Sequence, residues 1–385
     1  MKNISLGTKI TLLLLAMMTM MSNVAVVTIL PHLSEIFKEV DHIEFLSRMM
    51  ITLPSLSIAI LAPFLGNFVY KHGKRKSAIF GLLFFAITGT AGLYLDGIYA
   101  ILFSRFLLGI AIAILMIVST SLIGDYFKGE ERHKFMGLQS AFVSIGGIFF
   151  IVGGGMLSDI NWRYPFAIYG IGFIILLFVM KYIIEYTYQS NVEDEEEINH
   201  KLYPIYIMAF LLMAVFYILP TQFPYLMINE FNATGEKTGL IIASAFVLNA
   251  VGALSFAPLK KYFDFSTIYM IGMSIISIGF IGISQVTESQ YFFITAPIIG
   301  LGGGILMTNM TAWLLHYAHS TKRVKATAYL TSSFFLGQFF SPILTYPIVH
   351  YFGIVDFFKV MGIGLILVLI VTLIYKRISL QKEEK

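Results

Sequence analysis

Residues 99–121 read YAILFSRFLLGIAIAILMIVSTS, 23 positions with a single charge, Arg105. A helix rises about 1.5 Å per residue and the hydrocarbon core of a bilayer is about 30 Å thick, so about 20 apolar residues in a row are enough to cross it. A continuous run of this kind is helical, because a barrel strand would alternate polar and apolar residues over about ten positions. Residues 122–134, LIGDYFKGEERHK, follow as a short charged loop, and a new apolar run opens at Phe135.

That alternation fills the chain. Spans are predicted at 10–31, 47–68, 77–95, 99–121, 135–157, 163–183, 203–224, 239–258, 267–284, 291–313, 325–346 and 356–376. The composition agrees: 57% of the 385 residues are hydrophobic and 12% charged, against roughly 25% charged in a soluble domain. A water-soluble core of this size would lack the polar residues to cover it. The lipid bilayer is the solvent. The first run follows Lys2 and Lys9 as a signal peptide would, but no small-residue cleavage site follows it and it is long enough to span. The expectation is an all-α integral membrane protein of twelve transmembrane helices.

Of the 26 Lys and Arg, 20 fall at the termini and in every second loop, including Lys71, Lys74, Arg75, Lys76, Lys128, Arg132 and Lys134. The positive-inside rule then places both termini in the cytoplasm. The opposite loops and helix ends hold Lys38, Arg48, Arg163, Lys237 and Lys359. The net charge of +4 reflects this topology. Basic residues dispersed over seven segments make no nucleic-acid footprint. The absence of cysteine excludes disulfides, thiolate metal sites and Cys nucleophiles. Abundant Ile, Lys, Phe and Tyr point to an AT-rich bacterial genome, hence a multi-pass protein of the bacterial cytoplasmic (inner) membrane.

The longest polar stretch, Glu185 to His200, divides six spans from six. Residues 1–184 are read as an N-terminal six-helix bundle, 185–202 as a cytoplasmic linker and 203–385 as a C-terminal six-helix bundle. A shift of 191 residues brings Gly81 onto Gly272, Gly109 onto Gly300 and Gly146 onto Gly337. Parallel repeats about an axis along the membrane normal let two halves rock about a central site.

Several motifs sharpen this reading. The loop after the second span reads Gly66-Asn-Phe-Val-Tyr70-Lys71-His-Gly73-Lys74-Arg75-Lys76. Gly66 would let its helix end close to a neighbour and Gly73 permits a tight turn. The basic cluster is a docking surface for acidic helix ends, with Asp125 the nearest candidate; a plain positive-inside loop is the alternative. The fourth span holds Arg105-Phe-Leu-Leu-Gly109. An Arg at membrane depth costs roughly 2.5–3.5 kcal/mol unless it faces a cavity, meets a partner or snorkels to the interface. The fifth span carries Gly137, Gly146, Gly154 and Gly155, followed by Trp162-Arg163-Tyr164-Pro165-Phe166; the eleventh holds Gly337-Gln338-Phe-Phe-Ser341-Pro342. Close helix packing alone could explain the glycines, and Pro342 frees a carbonyl and bends its helix. Gly300-Leu-Gly302-Gly303-Gly304 lies inside a span with no strand before it and no Lys, so it is read as packing. His32 and His316 are read as interfacial. No catalytic constellation appears, and neither enzyme, cofactor nor metal is expected.

On these motifs the chain resembles the major facilitator superfamily, and within it the drug:proton antiporters with twelve helices. The loop departs from the family signature by Tyr70 in place of an Asp, the fourth span by Leu108 in place of a Gln, and the fifth by Phe150-Ile151 in place of Gly-Pro. The resemblance implies that Gly66, Lys71, Gly73, Lys74, Arg75 and Asp125 form a conformational latch, and that Arg105 and Asp125 serve proton coupling. It also implies a cavity lined by spans 1, 4, 5, 7, 8, 10 and 11. Polar or aromatic candidates there are Asn23, Arg105, Gln139, Phe142, Tyr217, Gln222, Asn249, Asn309, Phe335 and Gln338. No Asp or Glu lies deep within a predicted span. The expected function is export of small amphipathic compounds by alternating access, in exchange for protons, by a monomeric carrier. A carrier for a specific metabolite, such as a sugar, amino acid or siderophore-like anion, is the alternative.

Overall fold

The computed structural model describes residues 4–127, 129–185, 202–318 and 323–383. The side chains of Asn23 and Arg132, the surroundings of Gly137, and residues 186–201 of the expected linker lie outside the described residues. Fourteen α-helices follow one another along the described chain: α1 (Leu6–Val24), α2 (Leu30–Ile36), α3 (Ile43–His72), α4 (Lys74–Gly89), α5 (Ile98–Tyr126), α6 (Gly129–Ile160), α7 (Ile171–Tyr182), α8 (Tyr203–Phe216), α9 (Ile218–Tyr225), α10 (Gly235–Lys260), α11 (Phe265–Ser284), α12 (Phe292–Tyr317), α13 (Arg323–Phe352) and α14 (Ile354–Glu383).

Among the described residues, ten helical stretches are long and apolar enough to cross a membrane. The shorter α1 and the 30-residue α13 bring the crossings to twelve. In α13 a polar face, with Gln338, Ser341 and Thr345 buried, dilutes the apolar run. The seventh crossing is α8 and α9 together, broken at Tyr217. Pro220 and Pro224 have no backbone N–H, so two carbonyls of the preceding turns lose their helical partner and the axis bends.

The repeat is visible in the packing. A methyl added at Gly109 of α5 would run into the Pro54 carbonyl of α3; one at Gly300 of α12 would run into the Ala245 carbonyl of α10. The shift of 191 residues that relates Gly109 to Gly300 also relates Pro54 to Ala245. Likewise Gly81 lies against Leu115, and Gly272 against Leu306, the same pair displaced by the same interval. Small residues let helix backbones approach in lipid, where no hydrophobic effect draws them together.

Two antiparallel seams join the halves. Along α3 and α13, Arg48 lies near Thr345, the Ser55 hydroxyl donates to Gln338 Oε1 at 2.8 Å, and the Ser332 hydroxyl donates to the Ala59 carbonyl at 3.3 Å. Along α6 and α10, Gly155 abuts the Gly235 carbonyl and Gly239 the Ile151 carbonyl. Both seams lose burial in the same direction. Past Ala245 only Gly252 of α10 is buried, and past Ala59 only Val69 among the described side chains of α3. The halves are closed at the end that carries Arg48 and part toward the end that carries Lys71 and Lys74.

Candidate functional site

A cavity of about 210 Å3 lies where the seams part, lined by α1, α5, α6, α8, α9, α10, α12 and α13. Four of the expected residues line it: Tyr217, Asn249, Phe335 and Gln338. Its wall also holds Met20, Met116, Met213 and Met307, with Thr19, Ser144, Phe216 and Phe246. Methionine is flexible and polarisable, and aromatic faces stack on varied shapes, so such a wall adapts to many apolar ligands.

The other expected cavity residues with described side chains lie elsewhere. Phe142 packs against the apolar core, and Gln139 is outside the cavity wall. Asn309 is buried and donates from Nδ2 to the Phe265 carbonyl at 3.0 Å, tying α12 to the start of α11. Gln222 is buried above the cavity in the closed end of the molecule.

Arg105 faces neither the cavity nor the interface. It is fully buried inside the N-terminal half, donating from Nη2 to the carbonyls of Thr88 and Gly89 at 3.1 and 2.6 Å. These carbonyls end α4, whose C-terminus favours a cation. The guanidinium also sits 4.9 Å from the ring centroids of both Phe166 and Tyr169. Its placement is that of a strut at a helix end.

The basic loop is likewise held by its own half. Lys74 Nζ pairs with Asp125 Oδ2 at 2.5 Å, both groups being partly buried. Arg75, expected to share Asp125, instead donates to the Met180 carbonyl at 2.6 Å. The anion at the start of α4 is Glu185, whose two oxygens accept from the backbone N–H groups of Lys74 and Arg75 at 2.6 and 2.8 Å. Gly73, at φ 85°, makes the turn that presents those N–H groups, and a side chain there would meet Glu185. Glu185, the first residue of the expected linker, is thereby tied to the basic loop. The close approach expected at Gly66 is not made, since a methyl there would meet nothing within 4 Å. The packing glycines fare otherwise: Gly146 lies against Met17, Gly154 against the Ala25 carbonyl and Gly337 against the Phe210 carbonyl. Pro342 lies within α13.

A second buried charge is one the sequence placed in a loop or helix end. Arg48, 1% exposed, lies one turn inside α3 at the closed end. Its Nε donates to Gln222 Oε1 at 2.8 Å and its Nη1 to the Glu44 carbonyl at 2.8 Å. Gln222 Nε2 in turn donates to Thr345 Oγ1 at 2.9 Å. The guanidinium lies 3.9 Å from the centroid of Tyr225 and 5.7 Å from that of Tyr346. The Tyr225 hydroxyl meets those of Ser47 and Ser34, and donates to the Leu30 carbonyl at 3.2 Å. Arg48, Ser47 and Ser34 precede the expected linker and Gln222, Tyr225, Thr345 and Tyr346 follow it, so this cluster clasps one half to the other. The nearby seam adds a second tie: the Asp159 carboxylate accepts from the backbone N–H groups of Gly235 and Glu236 at 2.6 and 2.9 Å, capping α10 from across the interface.

Two repeated six-helix units around a central cavity, clasped at one end and parted at the other, define a membrane carrier of the alternating-access kind. The sequence pattern of the Major Facilitator Superfamily matches residues 12–206 and again 205–385, and the chain belongs to that family. It is 27% identical over 343 residues to multidrug resistance protein 2 of Bacillus subtilis (strain 168), covering 82% of this chain and 84% of that protein. With multidrug resistance protein 1 of the same organism it shares 26% identity over 219 residues, 52% of this chain and 54% of the relative. Among solved structures, the inward-facing, occupied form of a bacterial homologue of the human lysosomal transporter Spinster superposes with a TM-score of 0.75 at 15% identity, covering 89% of this chain and 82% of that one. A D-xylose–proton symporter superposes with a TM-score of 0.73 at 12% identity, over 96% and 97% of the two chains. At these identities the solved structures speak for the fold alone.

Proposed function

We propose that the protein exports small amphipathic compounds from a bacterial cell by alternating access, in exchange for protons. The observation that carries this reading is the cavity between the halves, whose methionine and aromatic wall suits ligands of varied shape. The names of the Bacillus subtilis relatives support the same substrate range. The basic residues cluster at the parted end, so the positive-inside rule turns that end to the cytoplasm and leaves the Arg48 clasp facing outward. The cavity is then open to the side from which an exported compound arrives.

Closure at the clasp and opening at the basic end are two phases of one rocking motion. Breaking the ties at Arg48 and Asp159 while the basic ends approach would carry the cavity to the outer side. Arg105 holds the end of α4 in place while the N-terminal half moves as a body.

Proteoliposomes loaded with a pH-sensitive dye test the proposal. At least one class in a panel of cationic, neutral and anionic amphipathic compounds should drive proton movement beyond that in protein-free vesicles. Proton movement with sugars or amino acids alone, or with none of the panel, would overturn it.

A further inference from the structure

Among the described residues, only neutral polar groups line the cavity, Thr19, Asn249 and Gln338 among them. The seven predicted spans that build it (10–31, 99–121, 135–157, 203–224, 239–258, 291–313 and 325–346) contain two charged residues between them, Lys325 at the first position of its span and Arg105. That arginine is fully buried against the Thr88 and Gly89 carbonyls, away from the cavity.

A full positive charge stands beyond the roof. Leu219 and Pro220 line the cavity, and one turn further along the same helix Gln222 holds Arg48. The partner that Arg48 has toward the roof is therefore a neutral amide. Its carboxylate partner, Glu44, stands 3.4 Å away with 58% of its side chain exposed at the far surface. A carboxylate so exposed is screened by solvent. The arginine is buried, and the protein between it and the roof screens its charge less than solvent would.

An organic cation entering this space surrenders hydration, gains no counter-ion and approaches a like charge. A neutral molecule bearing a carbonyl or hydroxyl loses far less and meets amide and hydroxyl groups in the wall. We propose, resting on the export reading above, that the cavity selects uncharged amphipathic molecules with a hydrogen-bonding oxygen and rejects organic cations.

Two probes with the same ring system separate charge from shape: 2-acetonaphthone and (2-naphthyl)trimethylammonium. Equilibrium dialysis against the purified protein in nanodiscs, with empty nanodiscs subtracted, should give at least ~10-fold tighter binding of the ketone, equivalent to about 1.4 kcal/mol. Gln338→Glu adds one carboxylate, whose oxygen can still accept from the Ser55 hydroxyl, and should raise binding of the ammonium compound ~10-fold with little change for the ketone. Ser144→Asp, on a different helix, should do the same and guards against local misfolding in the first variant. Equal or tighter binding of the ammonium compound by the unaltered protein would overturn the selection while leaving export standing. Binding of neither probe would remove the cavity as a binding site, and both readings with it.

Discussion

The two seams that join the halves occupy equivalent places in the repeat and are closed by different chemistry. Adding 191 to Arg48 gives Gly239, and subtracting it from Thr345 gives Gly154. Where the α3–α13 seam has a buried arginine, an amide and a hydroxyl in series, the α6–α10 seam has glycines that bring backbone against backbone. The first is directional: its groups can exchange each other for water when the halves part. The second depends on contact at close range and is lost with any added volume. Duplication supplied the geometry of closure twice, and divergence gave each copy its own means of holding. The basic end shows a third arrangement, in which Asp125, Met180 and Glu185 bind the loop entirely within the N-terminal half.

Each seam can be broken separately. A single cysteine at the cavity residue Met20, in a chain with no cysteine of its own, reports outer opening by its reaction with a membrane-impermeant maleimide added to whole cells. Arg48→Ala strands Gln222 and removes the stacked guanidinium, withdrawing on the order of 3 kcal/mol from the closed state. Labelling of Met20→Cys should then rise ~100-fold; an unchanged rate would show that the clasp does not hold the halves. Gly155→Val drives a side chain into the Gly235 carbonyl, and overpacking of about 1–3 kcal/mol should raise labelling ~10-fold. If both variants react at the same rate, the contrast in chemistry between the seams has no energetic consequence.

Asp159→Asn keeps the shape but removes the charge capping α10. About 1 kcal/mol at a helix N-terminus predicts a ~5-fold rise in labelling, and none if the tie is dispensable. The smallest effect on opening belongs to charges held within one half. Asp125→Asn should lower the melting temperature of the purified protein by the loss of about 1 kcal/mol while leaving labelling within ~2-fold. A large change in labelling would restore the basic loop as a latch between states. Arg105→Ala should likewise destabilise without altering labelling, and Arg105→Lys should rescue stability only in part, since an ammonium cannot serve two carbonyls and two rings as a planar guanidinium does.

Much of the fold is legible in the sequence because a bilayer permits so little else. Every span must be a continuous run that satisfies its own backbone, and the basic loops mark alternate ends. The packing glycines at 109, 154 and 337 are legible for the same reason. Arg48 was not. Its helix starts at Ile43 rather than at residue 47, so a residue read as marking a helix end lies a full turn inside, and its amide partner is 174 residues away. A charge at depth was visible at Arg105, but only the early end of α4 at Gly89 supplies the carbonyls that hold it away from the cavity. The four methionines of the cavity wall carry no signal among the 19 in the chain, because a methionine facing lipid and one facing ligand read alike.

The proposed rocking of two bodies, clasped at the Arg48 end and parted at the basic end, is tested most directly by paired distances. Spin labels at exposed positions, Asp41 with Tyr351 at the clasped end and Lys71 with Thr327 at the basic end, can be placed in the cysteine-free chain and measured by double electron–electron resonance. Introducing Arg48→Ala should lengthen the first distance and shorten the second together. A lengthening of the first with the second unchanged, or no change in either, would contradict the account.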